Sequence, residues 1–234
     1  MASFRSARPL GTAVVVLLFV NIAVLAVLGV FRFLEMSMLG RAMRGELVTI
    51  AEALRSDDRV TAAGITAIVV LIVTGIVWVV WQYRSQANLR AVGRPNLTYT
   101  PGWAAGWWFV PFANLVMPFK TVRELWKASG RERDWIGTAT WPVLGWWWAA
   151  WIAQAIAGRI AARMVDTAES VASATSASRF ALLTVLFTIA AAVLAILVVR
   201  SIVARQEGLV ALGLPRGPPP PRPDAADRGD GPGP

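Results

Sequence analysis

Glu124 is the single carboxylate in a Trp- and Pro-rich stretch, residues 99–130, YTPGWAAGWWFVPFANLVMPFKTVRELWKASG. Lys120, Arg123 and Lys127 all lie within four residues of it. On a helix this spacing lets Glu124 pair with Lys120 and with Lys127. A carboxylate so paired stays ionised and makes a poor general base. The chain has no Cys and no His, so thiol nucleophiles, imidazole bases, zinc fingers, haem ligation and disulfides are all absent. An intramembrane hydrolase needs a nucleophile with its base, or a pair of carboxylates, at membrane depth. No Asp or Glu interrupts the long apolar runs, and no Gly-rich phosphate loop or metal-ligand spacing is present. The residues therefore predict no enzyme, no cofactor and no metal.

What positions this stretch is a set of apolar segments. Of the 234 residues, 56% are hydrophobic and only 16% charged. Soluble domains carry about 25% charged residues, so the balance is that of a membrane protein. Leu10 to Val30 reads as an uncleaved signal-anchor and first span, with Asn21 at its middle. Residues 31–59 read as an amphipathic connection broken at Ser56-Asp57-Asp58, with Thr61 capping the next helix. The second span runs from Ala62 to Tyr83 and is stopped by Arg84. Residues 85–98 then read as a polar, basic loop. A third span is expected at residues 141–160, capped by Asp134 or Thr140, with Pro142 in its first turn and Gln154 at its centre. The last covers residues 180–199. The division is 1–59 for anchor and connection, 60–205 for the membrane domain, and 206–234 for a disordered Pro- and Gly-rich tail.

Within the central stretch, Pro101-Gly102 marks a turn and Pro111 forces a kink on any helix over residues 103–117. Pro118 opens a helix in which Phe119, Val122, Leu125 and Trp126 share one face. Lys120, Arg123, Glu124 and Lys127 share the other. Such a helix suits the membrane interface, with Lys120, Arg123 and Lys127 on anionic headgroups. The cations also set the topology. If residues 101–119 do not cross, fifteen of the 23 Lys and Arg lie on the side of the N-terminus and eight on the far side. The positive-inside rule then predicts both termini in the cytoplasm. The expected fold is all-α and integral to the membrane. It has four spans plus a Pro-broken re-entrant or interfacial Trp-rich element, with five spans as the alternative.

Pro101-Gly102-Trp103, Gly106-Trp107, Pro111, Asn114, Pro118 and Glu124 with Trp126 together resemble the signature of one family. It is that of largely actinobacterial multi-pass membrane proteins known as domain of unknown function family number 4328, and the upstream Asn88-Leu89 is similar to a further part of the pattern. The resemblance implies a bacterial plasma-membrane protein and carries no activity with it. Two readings follow from the residues. The first is a non-enzymatic scaffold or regulatory subunit that contacts membrane lipids and a membrane-protein partner or its own copy, and no nucleic acid. The second is a small transporter or lipid-handling protein, in which Asn21, Asn114 and Gln154 converge on a polar path beside Pro111.

Overall fold

The computed structural model describes residues 4–132 and 134–211. Every regular element among them is helical: α1 (Arg8–Met43), α2 (Ile50–Ala91), α3 (Pro101–Gly106), α4 (Met117–Ala128), α5 (Pro142–Asp166) and α6 (Val171–Ala211), with a 3₁₀ turn at Ala113–Leu115. The helix α1 packs between α2 and α6, and α6 packs between α1 and α5. The four long helices therefore stand in the row α2–α1–α6–α5. Three of them, α1, α2 and α6, are long and apolar enough to cross a membrane. With 25 residues α5 is long enough, at about 1.5 Å per residue, to match a hydrocarbon core of about 30 Å. Its four Trp, Gln154 and Arg159 make it less apolar than the others.

Several expected boundaries move, each for a local reason. No break occurs at Ser56-Asp57-Asp58, and Thr61 is not a cap: α2 runs unbroken from Ile50. The turn comes earlier, where Gly45 takes φ +78°, a conformation open to glycine without a steric cost. Thr49 is the cap, its hydroxyl accepting from the Glu52 amide at 3.2 Å. Residues 85–91 are not a loop. They form the last two turns of α2, with Ser85, Gln86, Asn88 and Leu89 all buried. At the far end the break between α5 and α6 is only residues 167–170, shorter than the gap between the spans expected at 141–160 and 180–199. Neither Asp134 nor Thr140 caps α5; Trp141 holds that position without a side-chain bond, and Pro142 does stand in the first turn. The helix α6 continues through residues 206–211, and the rest of the expected tail lies outside the described residues.

Residues 107–116 do not form a kinked helix. After α3 the chain passes through turns and the 3₁₀ segment into α4. Phe112 sits at φ +61°, ψ −43°, and the Ala113 amide donates to the Pro111 carbonyl across it at 2.7 Å. This is a γ-turn with a left-handed central residue, a strained and uncommon form. The element made by residues 95–132 gathers at one end of the bundle. The start of α1, the end of α2, the start of α5 and the end of α6 meet there. The Arg5 amide donates to Asn88 Oδ1 at 3.2 Å, and Gln206 Nε2 donates to the Ser85 carbonyl at 2.9 Å.

Candidate functional site

The site is built on the last three turns of α2. Gln82, Ser85, Gln86 and Leu89 recur at three- and four-residue spacing, so they share one helix face. That face is fully buried, because α3 and α4 cover it and Gln206 of α6 reaches it. The Gln82 amide works in both directions. Gln82 Nε2 donates to Thr121 Oγ1 at 2.9 Å and to the Ala104 carbonyl at 3.2 Å, while its Oε1 accepts from Trp108 Nε1 at 2.7 Å. One residue thereby fixes α3, α4 and the Trp-rich turn against α2.

One helical turn further, Gln86 Nε2 donates to Glu124 Oε1 at 2.8 Å and to the Tyr99 carbonyl at 3.1 Å. Glu124 is only 6% exposed. Its Oε2 accepts from the Thr98 amide at 2.8 Å and its Oε1 from the Tyr99 amide at 3.2 Å. The expected pairing with Lys120 and Lys127 is absent; among the described residues no ion pair reaches Glu124. The physical reason is competition. Three N–H donors in a buried place stabilise a carboxylate more than an exposed, screened ion pair does. Tyr99, beside it, is partly buried. Desolvation first, and then the Glu124 charge, push its hydroxyl above the usual tyrosine value, with Arg123 opposing.

The helix α4 keeps a cationic face, but Glu124 does not belong to it, being turned into the buried side against α2, and the apolar face is not open to headgroups. Val122, Leu125 and Trp126 are buried against protein and Phe119 is half-buried. Lys120 and Arg123 are exposed; Lys127 is half-buried and donates to the Ile136 carbonyl at 3.3 Å. Arg94 closes the end of α4, donating to the Gly130 carbonyl and, at 2.8 Å, to that of Glu132. Burial lowers the Arg94 pKa, with Glu132 opposing the shift.

Above this polar layer the indoles form a continuous cluster. Trp78 stacks on Trp147 at 5.5 Å, Trp108 meets Trp151 edge-on at 5.6 Å, and Trp148 stacks on Trp151 at 4.8 Å. Trp148 also donates to the Leu115 carbonyl at 3.1 Å, tying the γ-turn region to α5. Of the remaining signature residues, Pro101 opens α3 behind Thr100, whose hydroxyl caps Trp103, and Gly106 closes it. A Cβ on Gly102 would meet nothing within 4 Å, and Trp103 lies half out against Trp107. Pro118 is buried at the start of α4, and Trp126 stacks on Trp141. Pro111 and Asn114 belong to the turn and not to the buried cluster. The fold thus joins Glu124 to a buried face of α2, while Trp126 turns to Ser201 and Arg205 on α6.

The chain matches the family described as Domain of unknown function (DUF4328) over residues 44–204. The chain belongs to this family. The match opens in the turn before α2 and closes in the last turns of α6, so every residue of the buried cluster except Gln206 lies within it. A search of the curated proteins and a search of the solved structures each find no match.

Proposed function

We propose that the chain is a non-enzymatic membrane scaffold or regulatory subunit, with its Trp-rich element docked under a four-span bundle and both termini in the cytoplasm of a bacterial cell. In this reading α5 is the fourth span, and residues 101–119 dip into the inner leaflet and return. The observation that carries it is the tip of that element. Phe109 and Phe112 are 74% and 86% exposed, and Leu115 and Val116 are half exposed beside them. In water this apolar tip has no partner; in lipid it is solvated. Lys120 and Arg123 follow within one to three turns and project from the protein. Each such cation near an anionic leaflet contributes about 1 kcal/mol of attraction. Lipid contact is therefore made by the tip and by Lys120 and Arg123, with the half-buried Lys127 contributing less.

The transporter reading draws no support from its three polar residues. Asn21 donates to Thr74 Oγ1 at 2.6 Å between α1 and α2. Gln154 pairs with Thr188 at 3.4 Å between α5 and α6, and Asn114 sits on the 3₁₀ turn. They lie in three separate places and not along one path. Single-Cys labelling tests the topology, because the native chain has no Cys. In intact cells, Cys introduced at 98 and at 132 stays shielded from an impermeant thiol reagent, while Cys at 45 and at 170 labels. Labelling at 132 but not at 98 establishes five spans instead.

A further inference from the structure

Where α4 ends beside the last turns of α6, a cavity of about 380 Å³ opens to the surface. Its walls include Gly130, Arg131, Glu132, Ser201, Arg205 and Gly208. The size is within the range of small-molecule sites, and among the described residues its two guanidinium groups donate no hydrogen bond. The Arg205 guanidinium lies over the Trp126 ring, 3.6 Å from its centroid. A guanidinium held by its face in a cation–π contact keeps its in-plane N–H groups free for a ligand. Among the described residues neither Arg131 nor Arg205 is in an ion pair. Ser201 Oγ accepts from Trp126 Nε1 at 2.9 Å, which leaves its own O–H to donate elsewhere.

Two glycines make room for these groups. A Cβ on Gly130 would stand 2.6 Å from Glu132 Oε2 and 2.8 Å from Arg205 Nη1. On Gly208 it would meet Arg131 Nε and Nη2 at 3.9 Å. The missing side chain at Gly130 thus lets a carboxylate and a guanidinium converge on one spot, yet no ion pair closes between them. Two cationic forks and a hydroxyl suit a phosphate, and the carboxylate beside them suits an ammonium. The depth also fits. Arg200 ends the apolar run of α6, and Ser201 to Gly208 extend on the order of 10 Å beyond it at 1.5 Å per residue. That is the headgroup layer.

We propose that this cavity binds a phosphoethanolamine group, its phosphate between Arg131, Arg205 and the Ser201 hydroxyl, and its ammonium at Glu132. A phosphatidylethanolamine headgroup and soluble O-phosphoethanolamine share the phosphate and the ammonium two carbons away, although the soluble monoester carries the greater negative charge. The site is distinct from Lys120 and Arg123, and a detergent measurement of it does not depend on the topology of the bundle.

The test is calorimetry on the purified full-length protein in detergent. It is titrated with short-chain phosphatidylethanolamine, phosphatidylglycerol and phosphatidylcholine, and with soluble O-phosphoethanolamine. Phosphatidylethanolamine binds at least tenfold more tightly than the other two lipids. Soluble O-phosphoethanolamine binding as tightly as the lipid assigns a soluble ligand, and binding of the lipid alone assigns a headgroup; both support the site. Arg131 is exposed, so Arg131→Gln is expected to keep its melting temperature while weakening phosphatidylethanolamine roughly tenfold, the loss of one charge-assisted bond. Glu132→Gln removes the preference over phosphatidylglycerol. Equal affinity for all three lipids, or wild-type affinity in Arg131→Gln, overturns the proposal.

Discussion

The Gln86 amide and the Glu124 carboxylate meet at 2.8 Å in a place that admits almost no water. This bond fastens α4 to α2, and through the same carboxylate it holds the amides of Thr98 and Tyr99. Glu124→Ala takes the acceptor from one buried donor, on Gln86, and from two partly buried ones, the amides of Thr98 and Tyr99. Each such donor costs about 1–3 kcal/mol, so the loss is expected to be a large fraction of the whole stability. Glu124→Gln is expected to lose less, since one oxygen can still accept, but its new amide confronts an N–H donor. Unfolding in detergent measures both. An unchanged midpoint in Glu124→Ala shows that the clasp is dispensable.

The raised pKa of Tyr99 makes a prediction for alkaline pH, and its sign is definite. A folded-state pKa above the ordinary 10.0 means that the native state keeps its proton when the unfolded chain has lost it. The stabilisation is complete below pH 10 and is lost as the pH rises through the folded value. Tyr99→Phe has no such proton to lose. Its stability is therefore expected to fall less steeply than wild type above pH 10. Parallel curves for the two proteins in that range remove Tyr99 from the account.

Phe112 is both strained and exposed, so its two effects can be separated. A non-glycine residue held at positive φ costs about 1–3 kcal/mol. Phe112→Gly relieves that strain and is expected to raise the melting temperature in detergent, where the apolar tip has no bilayer to enter. Pro111→Ala goes the other way by roughly 0.4–1 kcal/mol, through the greater freedom of the unfolded chain. If Phe112→Gly melts below wild type, the aromatic ring is packing on protein and the tip is not a lipid anchor.

Lys120 and Arg123 are the cations on which the lipid reading depends. Lys120→Gln with Arg123→Gln, reconstituted in nanodiscs of mixed phosphatidylglycerol and phosphatidylcholine, is expected to lose co-purifying phosphatidylglycerol. The wild-type enrichment should also fall with salt. Enrichment that survives both the double variant and salt would show that the attraction arises elsewhere.

Composition alone determined that the chain is all-helical and apolar enough for a membrane. Long runs such as Val14–Val20 and Ala190–Val199 admit no other reading. The broken character of residues 101–119 was also legible, because three prolines remove backbone donors wherever the chain goes. Periodicity likewise gave the two faces of α4. Which of those faces meets protein was beyond its reach. The periodicity of Phe119, Val122, Leu125 and Trp126 is the same whether they pack on lipid or on α2, and only the fold placed Val122 and Leu125 wholly inside. Gln82, Ser85, Gln86 and Asn88 were read as the end of a span and a polar loop for a related reason. Local polarity signals exposure unless a distant partner is present, and their partners lie at Thr121, Glu124 and Gln206. Glu124 itself went to the cations beside it in sequence. The tertiary structure instead gave it three N–H donors, from residues 25 to 38 positions away, and in a buried site those hydrogen bonds outweigh a neighbour's screened charge.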